Sequence, residues 1–198
     1  KRYKLLLDCH TTIKRFISKA EGIVKARGKG SRTEMLDENV ESTSQKASKK
    51  IKEDEGTKEA KSTIVAATKT EEEKKKELVE TYMKSDTSLT VEEATHLADY
   101  HLVNLVEVVE SEWPGNTFLD VQYRGNAAVA IVNRSHKFYD LFYDHLQTVS
   151  DTKGIEALKL MILALTRTED VMTASGEIKE DQFQKLRDEG GKYLNKLL

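Results

Sequence analysis

The chain has 198 residues, 38% hydrophobic and 33% charged, with one proline, one cysteine and a formal net charge of −2. That length allows one domain or a small domain with an extension, and the charge balance excludes a polycation or an acidic tail. A lone cysteine excludes an intramolecular disulfide. With no apolar run of about 20 residues and no signal-peptide pattern, a reducing, cytoplasmic setting is expected.

Charge is uneven along the chain. Residues 1–86 carry 21 Lys and Arg against 16 Asp and Glu, and the remainder carries 11 against 18. Such asymmetry suits an arm that faces nucleic acid or pairs with the other half, and more simply two solvated faces of mixed sign.

Taken in chain order, residues 1–27 predict a helix. Leu6, Cys9, Ile13, Phe16, Ile17, Ala20, Ile23 and Val24 recur at three- and four-residue steps and form one apolar stripe. Gly28 and Gly30 break it. Because the stripe starts mid-pattern and position 1 is not Met, the chain is expected to be a piece of something longer. Residues 33–69 read as a polar linker, partly disordered or held as a loose helix, since Gln45 to Ser62 offers almost nothing to bury.

Structure is expected to resume at Thr70, where Thr70 and Glu73 fit a capping box ahead of Leu78, Val79, Tyr82 and Met83. Thr90 and Glu93 fit a second box. The pattern then shifts to strands at 102–110, 118–124 and 127–133, the last two joined by a turn at Arg124-Gly125-Asn126. A helix over 136–148 is expected to turn Phe138, Leu141, Phe142 and Leu146 inward. The next, with Ile155, Leu158, Met161, Ile162, Leu163 and Leu165, is apolar almost all round and reads as the central buried helix. A last amphipathic helix over 178–198 carries Phe183, Leu186, Tyr193, Leu194 and Leu197, with a kink expected at Gly190-Gly191.

These elements predict an α+β fold: a long helical or coiled N-terminal arm, then a small antiparallel three-stranded sheet packed with C-terminal helices. The divisions are a basic amphipathic helix over 1–32, the linker over 33–69 and an α+β module over 70–198.

Chemistry is sparse. Asn133, His136 and Tyr139 form the most suggestive cluster, either a contact that senses a partner domain or, preferred here, a strand-to-helix corner whose polar side chains satisfy backbone groups. His136, Asp140 and Asp144 recur on one helix face, and His96, Asp99 and His101 lie close in sequence. A metal needs three or four converging ligands, so no metal is expected. Cys9 sits on the apolar stripe as a small hydrophobe. No G-x-x-x-x-G-K-[ST], G-x-G-x-x-G or G-x-S-x-G occurs. Lys14, Arg15, Lys19, Lys25, Arg27, Lys29 and Arg32 concentrate on the first helix and its loop, a candidate phosphate-contacting face for non-specific, salt-sensitive DNA binding.

Phe118-Leu119-Asp120-Val121, the glycine hairpin and Ile131-Val132-Asn133-Arg134-Ser135-His136-Lys137-Phe138-Tyr139 resemble the N-x-x-H-P-F-Y passage near the C-terminus of certain bacterial and phage ATP-binding proteins of the GHKL superfamily (gyrase, heat-shock chaperone, histidine kinase and MutL-like ATPases). Glu156 to Glu169 is similar to that family's long apolar helix closed by a glutamate, and Gly191-Lys192-Tyr193-Leu194 to its terminal W-G-x-x-L segment. Lys137 stands where the family has proline, and Gly190 where it has tryptophan. In such proteins the nucleotide site lies in an N-terminal domain with a D-x-G-x-G loop, which this chain lacks. The resemblance implies a non-enzymatic C-terminal region of a GHKL-type ATPase, acting in dimerisation or in partner or DNA docking. No cofactor is expected in this chain, with ATP and Mg belonging to a missing N-terminal domain. The expected partners are a second copy or that domain, with no membrane. The alternative expectation is a stand-alone helical scaffold or DNA-contacting adaptor.

Overall fold

A computed structural model of the protein describes residues 41–55, 59–149 and 152–198, and the arm expected over 1–32 lies outside them. The elements are α1 (Thr43–Glu55), α2 (Lys61–Ala67), α3 (Glu71–Ser85), α4 (Val91–His101), β1 (Val106–Ser111), β2 (Leu119–Arg124) and β3 (Ala127–Asn133). A π-helical turn (Tyr139–Tyr143) then runs into α5 (Asp144–Thr148), followed by α6 (Thr152–Ser175) and α7 (Glu180–Leu197). The α+β class and the three strands are as the sequence predicts. Among the described residues no helix is long and apolar enough to cross a membrane.

All seven residues of β3 are buried, as befits a strand covered on both faces and paired on both edges. It occupies the centre of the sheet, in the order β1-β3-β2. The β2–β3 hairpin closes at Arg124↔Ala127, where Gly125 takes φ +57 and a Cβ would lie 2.9 Å from Leu78 Cδ1. β1 runs parallel to β3, from Val106↔Ala128 to Ser111↔Asn133, so the expected all-antiparallel sheet is corrected at this pair. The apolar run of β3 claims the middle, and β2, with Asp120, Gln122 and Arg124, suits an edge.

The pleat of β3 splits the core in two. Val129 and Ile131 face the α3–α4 pair, joining Leu78, Tyr82, Leu89, Ala94 and Leu97. Ala130 and Val132 face the other way, against Tyr139, Tyr143, Leu146, Leu158 and Ile162. Each large apolar side chain buried this way contributes roughly 1.5–3 kcal/mol. Both expected capping boxes form: Glu73 and Glu93 amides donate to Thr70 and Thr90 hydroxyls at 3.2 Å, and their carboxylates accept from the Thr amides at 2.8 and 2.9 Å.

Where a linker, disordered or loosely helical, is expected, the described residues form two docked helices, α1 and α2. Two serines dock α1. Ser48 Oγ accepts from the Leu105 and Val106 amides (3.0 and 3.3 Å), and Ser44 Oγ accepts from Val108 (3.3 Å). Ser85 of α3 accepts from the Glu110 amide at 3.2 Å. In the parallel register, residues 107, 109 and 111 bond toward β3, so each outward amide of β1 at 106, 108 and 110 meets a serine hydroxyl. That arrangement blocks strand addition at this edge. α2 is held by Asp170, wholly buried, which accepts from the Ser62 amide and hydroxyl (both 2.7 Å) and from Arg167 (2.9 Å).

Two expected faces are also corrected. The π-helical turn, where the Asp144 amide reaches Tyr139 O, inserts an extra residue, so Tyr139, Tyr143 and Leu146 point inward while Leu141 and Phe142 are exposed. In α6 only one side is buried, through Leu158, Ile162 and Leu163, and Leu160, Met161 and Leu165 face outward.

Candidate functional site

Asn133, His136 and Tyr139 sit where β3 gives way to helix, and each ties down a different element. Asn133 Oδ1 accepts from the Trp113 and Ser135 amides (3.3 and 2.9 Å), and its Nδ2 donates to Thr117 O (2.9 Å), which pins the β1–β2 loop. His136 Nδ1 accepts from the Phe138 amide (3.1 Å), so the ring hydrogen lies on Nε2 and donates to Gly191 O of α7 at 3.2 Å. Phe118 packs edge-on against that ring. The Tyr139 hydroxyl donates to Glu110 Oε2 at 2.6 Å, and burial followed by the Glu110 charge raises its pKa, which keeps it a donor. Their polar atoms are engaged in internal bonds that join β3 to the β1–β2 loop, to α7 and to β1.

This corner fixes α7. A Cβ on Gly191 would run into Asn116 O and come within 3.0 Å of Thr117 Cα, so the helix approaches the loop as closely as backbones allow. Thr117 Oγ1 donates to Asp188 (2.7 Å), and Asn195 Nδ2 donates to Asn116 Oδ1 (2.9 Å). Arg187, half-buried, pairs with Glu169 and lies 3.6 Å from Asp120. The helix is continuous through Gly190-Gly191. Its inward side combines Gly191 and polar groups with the partly buried Phe183 and Leu194, while Leu186, Tyr193 and Leu197 are 68%, 59% and 83% exposed.

A second polar assembly, not foreseen from sequence, lies beneath α1. Glu107 is buried, accepts from Asn104 Nδ2 at 2.6 Å and lies 3.6 Å from His101 Nδ1, which meets the Tyr82 hydroxyl at 2.9 Å. Burial raises the Glu107 pKa against the pull of His101, Asn104, Ser44 and Lys159, and burial also raises Tyr82. The adjoining cavity is about 50 Å³, room for water and little else. Asn104 and Glu107, three residues apart, were the available signal, but the partners come from α1, α3 and α4.

A wider cleft of about 480 Å³ opens beside β2, between Lys84 of α3, Trp113 and Gln184 of α7. Asp120, Gln122 and Arg124 line it and bond to one another, Gln122 to Asp120 at 3.0 Å and Arg124 to Gln122 at 3.0 Å. Among the described residues no group of three His, Cys, Asp or Glu could hold a metal. Asp99 is paired with Lys75 at 2.7 Å instead of converging with His96 and His101. Cys9 and the basic face Lys14, Arg15, Lys19, Lys25, Arg27, Lys29 and Arg32 lie outside the described residues. No family model, no curated protein and no solved structure matches this chain.

Proposed function

We propose that this chain is a non-catalytic assembly module that pairs with a second copy of itself through α7. The observation that carries the reading is the outward stripe of α7: the helix is clamped through Gly191, polar groups and the partly buried Phe183 and Leu194, yet it presents Leu186, Tyr193 and Leu197 to solvent. Their spacing of seven and four residues lines one side of the helix, the pattern of a helix–helix seam, and a two-fold pairing of identical stripes is self-complementary. The resemblance over residues 118–198 supports placing such a module at the C-terminus of a GHKL-type ATPase, where it would serve dimerisation. The test is the mass of the intact chain by light scattering, alongside ATP hydrolysis. The expected result is about twice 22.5 kDa for the unaltered chain, a single-chain mass for the Leu186→Glu/Tyr193→Glu variant, and no turnover for either. A monomeric unaltered chain overturns the pairing, and ATP turnover overturns the non-catalytic reading.

A further inference from the structure

The outward side of α6 is a second apolar stripe. Ala157, Leu160, Met161, Ala164 and Leu165 are all exposed, within a helix whose opposite side holds the core through Leu158, Ile162 and Leu163. Alternating small and large residues along one side of a helix make a ridge-and-groove surface for one more helix. We propose that the occupant is the chain's own N-terminal segment, residues 1–27.

Three observations favour this occupant. The described chain begins at Glu41, and Glu41, Ser42 and Thr43 line a small cavity together with Thr152, Ile155 and Glu156, the first turns of α6. The N-terminal segment is therefore delivered to this helix. Residues 28–40 span up to roughly 45 Å when extended, longer than the roughly 36 Å of a 24-residue helix, so the segment reaches any part of the stripe. The sequence of 1–27 carries the complementary feature, an apolar stripe from Leu6 to Val24 at helical spacing. Charge adds to the match. Residues 1–40 hold 10 Lys and Arg against 5 Asp and Glu, whereas residues 41–198 hold 22 against 29. Docking buries Leu6, Ile13, Phe16 and Ile17 on Leu160, Met161 and Leu165, and turns Lys14, Arg15 and Lys19 to solvent.

Cys9, the single cysteine of the sequence, lies on the segment's apolar stripe and reports the contact directly. The experiment measures the rate at which a thiol-reactive chromophore modifies Cys9 in the full chain, at two chain concentrations, in buffer and in denaturant. Docking predicts a native rate at least tenfold below the denatured rate and independent of concentration. The Met161→Glu/Leu165→Glu variant, altered only at exposed positions, is predicted to restore most of the denatured rate while its circular dichroism and melting remain those of the parent. A native Cys9 as reactive as the denatured one overturns the proposal, as does protection that persists in this variant. Protection lost on dilution also overturns it, because the cover is then another copy. The α7 variant Leu186→Glu/Tyr193→Glu changes the mass without changing Cys9 reactivity, so failure here is distinguishable from failure of the α7 pairing.

Discussion

Two adjacent glycines on α7 should respond to alanine with opposite signs. At Gly190 nothing lies within 4 Å of a built Cβ, so Gly190→Ala gains only helix propensity, roughly 1 kcal/mol. At Gly191 the same gain is available, but the Cβ runs into the carbonyl of Asn116 and the Cα of Thr117, both backbone. Relief requires α7 to move off the loop. That movement puts at risk the His136–Gly191, Thr117–Asp188 and Asn195–Asn116 hydrogen bonds, about 1 kcal/mol each. Overpacking of this kind costs about 1–3 kcal/mol, and a clash with backbone atoms falls at the upper end, so after the propensity gain Gly191→Ala is expected to lose up to about 2 kcal/mol net, a gap of up to about 3 kcal/mol between the two variants. Urea denaturation gives both values, run at chain concentrations where the midpoint no longer depends on concentration. Equal stabilisation by both substitutions would refute the close approach and with it the clamped α7.

The serine-blocked edge predicts that Ser48→Ala destabilises by roughly 1–3 kcal/mol, because the Leu105 and Val106 amides lose their acceptor, and hydrogen exchange should quicken at those two amides while β3 stays protected. Asp170→Ala leaves Arg167 and the start of α2 without their shared acceptor, and a loss of about 3–5 kcal/mol in denaturant is expected. Glu107 has a folded pKa raised above its unfolded value, so the fold binds its proton more tightly and stability falls as pH climbs through the window above 4.5. Glu107→Gln should flatten that part of the stability–pH curve, read from melting temperatures between pH 4 and 8. A wild-type slope unchanged in the variant would show that this carboxyl is not the source.

The sequence made legible what rests on periodicity and capping. Thr70/Glu73 and Thr90/Glu93 signal their helices within the local chain, and the Gly125 turn with its flanking alternation marks the hairpin. α1 and α2 were hidden because their anchoring residues are small: Ser44, Ser48, Ser62 and Ala66 are buried, and none raises an apolar signal. Strand order escaped because the pairing of β1 with β3 skips the strand between them in sequence, a non-local choice that burial of all of β3 decides. The outward stripe of α6 was read as core, since apolar spacing alone does not say which side of a helix finds a partner. The corner at Asn133, His136 and Tyr139 was visible as a cluster, but its bonds to Thr117, Gly191 and Glu110 join residues 16 to 55 positions apart.

Pairing of two α7 helices is tested most directly by single cysteines placed along the helix in a Cys9→Ser background. Leu186→Cys, Gly190→Cys, Tyr193→Cys and Leu197→Cys sample the outward stripe, and Val103→Cys, exposed in the turn after α4, serves as the control. Mild oxidation is predicted to give an interchain disulfide in at least one stripe variant, at the position nearest the two-fold axis, and none at 103. Stripe positions that cross-link no faster than 103 would contradict assembly through this helix.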